Sequence, residues 1–313
     1  MVSVVRTILS LAAGATVMGA CEYGTRPTVV TPFYASSSFW NTPISGSPAV
    51  DANSAAMVAR SILPYTKGAN FANTDDWGIG LAYARNGDKT YTITGAIYYD
   101  TGPVSFRIPA GATPTTGDDH HLVVIDGTKE LDMWQARYDA ASDSWTAGSR
   151  FVTDINGWGA MAAPGQRAGG AVAAGFAGMG GVVRPEEIAQ GHIDHALSLT
   201  VPLVRAGFIA APATATDGFS SDPASLPEGA HLQLDPGFNV AAQTWPAWQK
   251  VIATALQTYG AFVSDRGGSV ALYGQTDVNA GNASWAAAGT PKSGSLANLP
   301  WDKMHVIALP KSS

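Results

Sequence analysis

The stretch from His121 to Trp134 limits what this chain can fold into more than any other. Two alternating runs flank Asp126-Gly127, and an Asp-Gly pair between such runs predicts a β-hairpin. Successive strand residues point to opposite faces, so His120 groups with Leu122 and Val124, and His121 with Val123 and Ile125. A two-residue turn sets His121 opposite Asp132; a four-residue loop sets it opposite Trp134. Either even-length loop gathers His121, Glu130, Asp132 and Trp134 on one face, whereas an odd one brings His120 there instead.

Other runs share this character. Thr90 to Thr94, Ile97-Tyr98-Tyr99 and Ile193 to Val201 are rich in β-branched and aromatic residues and read as strands. Ala261-Phe262-Val263 and Val270 to Tyr273 flank Asp265-Arg266-Gly267-Gly268 and read as a second hairpin. Three helices are expected. Asp51 to Leu63 puts Met57, Val58, Ser61 and Ile62 on one side; Arg184 to Gly191 opens on Pro185 and two acids and ends at glycine; Trp245 to Tyr259 carries an apolar stripe stopped by Gly260. Charged residues are only 13% of the chain, against about 25% in ordinary soluble domains, and glycine is abundant at 35 residues. Long charged helices and coiled coils are therefore disfavoured. The expectation is a mainly β single-domain β-sandwich, jelly-roll-like, with a few short helices. The Gly/Ala-rich stretch 156–181 has Arg167 as its one charged residue after Asn156 and reads as an ordered loop packed over that domain.

Residues 1–20 carry Arg6 and then an apolar run from Thr7 to Val17, too short to favour a membrane span and suited to a secretory signal. Met18-Gly19-Ala20-Cys21 resembles a bacterial lipoprotein processing site, with Cys21 as mature terminus; plain signal cleavage nearby is the alternative. Both place the protein in the bacterial envelope, secreted or as a cell-surface lipoprotein, touching a membrane only through a lipid on Cys21. Residues 21–38 read as a tether and 39–313 as one β-sandwich catalytic domain. A net charge of −6 argues against a nucleic-acid partner. The single cysteine rules out an intrachain disulfide.

Four of the six histidines fall in two clusters, Asp118-Asp119-His120-His121 and His192-Ile193-Asp194-His195. An imidazole beside carboxylates carries protons near neutral pH, and an indole stacks on sugar rings. The expected catalytic set is His121, Asp132, Asp194 and His195. Asp119, His120, Trp134, Gln135, Trp158 and His192 are the expected substrate-binding residues. No cofactor is expected. A metal held by His120, His121, His192, Asp194 and His195 is a competing reading, disfavoured because neighbouring strand residues diverge. Glu130-Leu131-Asp132 invites comparison with the catalytic strand of laminarinase-type β-sandwich glycosidases, but Trp134 and Gln135 stand where that strand carries its further acid, so the mechanism does not transfer.

The strings FWNTPI (39–44), DDHHLVVID (118–126), RPEEIAQGHIDHAL (184–197), LPEGAHLQLDP (226–236) and YGAFVSDRGG (259–268) together resemble a group of secreted bacterial proteins of poorly defined function. The resemblance spans nearly the whole mature chain and implies one domain with extracellular carbohydrate work. The leading expectation is a polysaccharide-degrading glycoside hydrolase acting on a largely neutral glycan in a surface groove. A polysaccharide lyase using β-elimination with a histidine base is the alternative, and a non-catalytic glycan- or envelope-binding surface lipoprotein is the third.

Overall fold

The computed structural model describes residues 30–71, 74–95, 97, 102–162, 168–277, 279 and 284–309. The leader, Cys21 and the tether up to residue 29 lie outside the described residues, as do Tyr98, Tyr99 and Arg167.

Strand outweighs helix, in a sandwich-like, mainly β architecture with few short helices. The large sheet runs, edge to edge, β16 (Gly294–Ser295), β1 (Asn70–Phe71), β15 (Ala271–Leu272), β10 (Leu197–Val201), β14 (Ala261–Arg266), β13 (His231–Leu234) and β17 (Met304–Val306). The small sheet runs β2 (Gly80–Tyr83), β5 (Leu122–Asp126), β6 (Lys129–Trp134) and β9 (Ser149–Asp154). Three two-stranded ribbons complete the set: β3 (Thr90–Ile93) with β4 (Val104–Arg107), β7 (Arg137–Asp139) with β8 (Ser144–Thr146), and β11 (Val204–Ile209) with β12 (Leu226–Glu228).

Central strands are buried on both faces, which is why they read as unbroken apolar runs. In β14, Ala261 and Val263 join a core that also takes in α1 (Ser54–Ser61) and α3 (Ala247–Thr258), while Phe262 points into the core between the two sheets. That middle core also takes Val123 and Ile125 from β5 and Phe176, Ala177 and Met179 from the Gly/Ala-rich stretch. The described part of that stretch therefore fills the sandwich, as an ordered loop can when its residues are small. Leu122, Val124, Leu131 and Met133 face a third core under the ribbons.

The β5–β6 hairpin pairs Val123 with Asp132 and Ile125 with Glu130. This is the register that puts His121 across from Trp134. The second expected hairpin is corrected: β14 and β15 do not pair, because β10 lies between them, parallel to β14 and antiparallel to β15. The strand expected from Ile193 begins at Leu197, so His192 to Ala196 form a loop. The first helix stops at Ser61 because Pro64 follows, and a 3-10 turn covers Leu63–Gly68. The other two helices fall as expected, α2 over Pro185–Gln190 with Gly191 in the left-handed conformation, and α3 with Pro246 just before it and Gly260 just beyond. Residues 30–38, read as the end of a tether, lie against the domain: Tyr34 is buried and its N–H donates to the Ile155 carbonyl at 2.5 Å.

Candidate active site

Where the β5–β6 hairpin opens, the chain is held by backbone kinks rather than by regular pairing. His120 and Gln135 adopt positive φ, 43° and 51°, a conformation that costs non-glycine residues free energy and concentrates at functional sites. They face each other just before β5 and just after β6: Gln135 N–H donates to the Asp119 carbonyl at 2.7 Å and Ala136 N–H to the His120 carbonyl at 3.1 Å. Thr115 fixes both histidines. Its hydroxyl accepts the His121 N–H at 2.9 Å, and its carbonyl lies 2.9 Å from His120 Nδ1.

This brings five expected residues, Asp119, His120, His121, Trp134 and Gln135, to one place. The Trp134 indole N–H donates to Asp119 Oδ1 at 2.9 Å, and both residues are half-buried. His121 is 3% exposed. Burial pushes its imidazole below the ordinary histidine range, with the Asp119 charge opposing, so it stands neutral at pH 7. Its ring meets Tyr273 edge-on, with centroids 6.3 Å apart.

Tyr273 leads to a group the sequence reading did not single out as a site. Its hydroxyl donates to Asp265 Oδ2 at 3.2 Å. Ligand atoms of Asp265, Glu228 and Asp217 all lie within 4.8 Å of one another. Burial first, then the Asp217 and Asp119 charges, raise the Asp265 carboxyl to about 7. Burial, with Asp265 and Asp217 adding and Thr216 opposing, raises Glu228 to about 9. In sequence none of the three stands out: Asp217-Gly218 is turn chemistry, Asp265 opens the Asp265-Arg266-Gly267-Gly268 turn, and Glu228 lies within Leu-Pro-Glu. Only the interposition of β10 and the β11–β12 ribbon brings them together. The exposed Trp77 sets its ring against Gly117, just before Asp118.

The remaining expected residues lie elsewhere. Asp132 shares the His121 face but is sealed, 0% exposed, under Gly178, where a Cβ would lie 2.6 Å from Asp132 Oδ1. Neither Asp132 oxygen has a partner within hydrogen-bond distance. Glu130, also 0% exposed, accepts the Tyr34 hydroxyl at 2.9 Å and the Met179 N–H at 2.9 Å. Burial raises both carboxyls, Asp132 the more because Glu130 stands beside it.

His195 is buried in a different cluster: Nε2 lies 3.0 Å from Glu187 Oε1 and Nδ1 lies 2.8 Å from the Ala196 carbonyl. Arg184 closes on the same Glu187 at 2.5 Å. His192 Nδ1 lies 3.1 Å from Asp194 Oδ2, with both side chains exposed. Among the described residues no hydrogen bond or ion pair joins this group to Asp119 or His121. Trp158 is partly exposed and packs edge-on to Phe39, 5.3 Å away. A cavity of about 210 Å³ lined by Phe33, Tyr34, Tyr83, Arg184 and Gln275 holds none of the expected site residues. No family model, no curated protein and no solved structure matches this chain.

Proposed function

We propose that this chain is an extracellular polysaccharide-degrading enzyme, a glycoside hydrolase acting on a largely neutral glycan at the mouth of the β5–β6 hairpin. The carrying observation is the bond from the Trp134 indole N–H to Asp119 at 2.9 Å, with His121 two residues further along the same turn. An indole plane offers a sugar ring a stacking surface. Asp119, with Oδ1 already engaged, presents Oδ2 to a bound glycan, and the neutral His121 imidazole is the second proton carrier. Asp119 accepts a proton from the attacking water as the water oxygen bonds to the anomeric carbon; the glycosidic oxygen takes a proton from the His121 ring N–H as its own bond to that carbon breaks, and the imidazole then recovers a proton from Asp119. The strained turn at His120 and Gln135 holds this geometry before substrate arrives. Asp118 and Asp119 place carboxyls at the mouth, which favours a neutral chain over a polyanionic one. The leader pattern in residues 1–20 supports the extracellular placement.

The test is release of reducing ends from a panel of neutral glycans. Asp119→Asn and His121→Asn are expected to lower kcat by about 100-fold or more, and Trp134→Ala to raise KM. Unchanged turnover in both of the first two variants, with the fold intact, overturns the assignment. The lyase reading draws its support from the His121–Tyr273 contact, which pairs a base with a phenol that can protonate a leaving oxygen. Its signature is an unsaturated uronate formed from a polyuronate, which the hydrolase does not make.

A further inference from the structure

We infer that Asp217, Glu228 and Asp265 form a binding site for a hard divalent cation of the calcium class. Their oxygens converge from three separate pieces of chain: the loop before Phe219, the end of β12 and the end of β14. All-oxygen carboxylate donors are what such a cation selects.

The second observation is Glu228 itself. It is 0% exposed, its Oε2 accepts the Asp217 N–H at 3.1 Å, and its Oε1 is buried with no hydrogen-bond partner in reach. A buried carboxylate oxygen left unpaired is costly, and one converging with two other carboxylates has a cation as its natural partner. The counter-charge at the site is small: Arg266 reaches Asp217 at 3.3 Å in an exposed pair, one cationic side chain among three carboxyl groups. Asp217 is exposed, which leaves room for the waters that complete a calcium shell. The site goes beyond the hydrolase reading and is independent of it, although its charge would be felt at Asp119 and Tyr273, both of which interact with Asp265.

Terbium(III) is a luminescent calcium-class probe excited through nearby aromatic side chains, and the Tyr273 hydroxyl touches Asp265. Titrating the purified protein with terbium is expected to give saturable luminescence that calcium displaces, with a calcium dissociation constant on the order of 10⁻⁴ to 10⁻³ M. Calcium is also expected to raise the melting temperature. Asp217→Asn, at an exposed position that tolerates change, and Glu228→Gln should each weaken binding at least about 10-fold. Absence of saturable binding, or wild-type affinity in both variants, overturns the site. Loss of glycan hydrolysis with cation binding intact counts against the hydrolase alone.

Discussion

At the scale of single residues, the Glu130–Asp132 pair shows how a sequence pattern can place a group correctly and misread its use. Alternation in β6 put both carboxyls on the His121 face, and the register agrees. What alternation cannot convey is what covers that face. Gly178 and Met179 arrive from about 45 residues downstream and close over it. The consequence is a pH dependence of stability. Both folded carboxyls titrate above their ordinary values of 4.5 and 3.8. Their contribution is therefore complete below those values and is lost as pH rises through the raised ones, because ionising the pair in the core is costly. Melting temperature should fall from mildly acidic to alkaline pH. Asp132→Asn, which keeps the shape and cannot ionise beside Glu130, should flatten that fall and add about 1 to 3 kcal/mol at the alkaline end. Parallel melting curves for the two proteins at every pH would count against this account.

Among elements, α2 was legible because every local signal agreed: proline at its first position, two acids in its first turn, glycine at its end. The sequence sets His195 beside Asp194, but the carboxylate its ring meets is Glu187 on α2, eight residues back. Glu187 receives the Arg184 N–H at 2.8 Å, the Arg184 guanidinium and His195, so one carboxylate ties helix to loop. Burial alone would raise this carboxyl; Arg184 and His195 outweigh it and hold it down at about 2. Its contribution to stability is present above 4.5 and lost as pH falls toward 2. Glu187→Gln leaves Arg184 buried without its counter-ion and should cost about 3 to 5 kcal/mol at neutral pH. A urea midpoint shift under a quarter of that, or an acid limb unchanged in the variant, would show that the cluster is not what fastens α2. The failed second hairpin belongs at this scale too. Asp265 to Gly268 has turn chemistry, and the chain does turn there, but local chemistry cannot reveal that β10 slides between the arms.

For the whole molecule, the question is what joins the sheets, since the His121–Tyr273 contact spans the two. Trp40 is central to that join. It is 1% exposed, its indole N–H donates to the Gly159 carbonyl at 3.0 Å, and its own carbonyl accepts the Ala196 N–H at 2.7 Å. Its ring packs edge-on against Phe176 of the Gly/Ala-rich stretch and Phe262 of β14, with centroids 5.1 and 5.3 Å away. Gly159, Gly180 and Gly181 approach the indole so closely that a Cβ on any of them would lie 2.5 to 2.6 Å from it. That explains the composition of the stretch: small residues are required because a large aromatic occupies the space they leave. Trp40→Ala should therefore cost about 3 to 5 kcal/mol, through lost burial and a cavity that the glycines cannot fill. The damage should be directional. Amide exchange should quicken first in 168–182 and around Ala196, while α3 and the far face of the large sheet stay protected. If exchange instead quickened uniformly, or the denaturation midpoint barely moved, the sheets would be fastened by the outer cores and not by this aromatic plug.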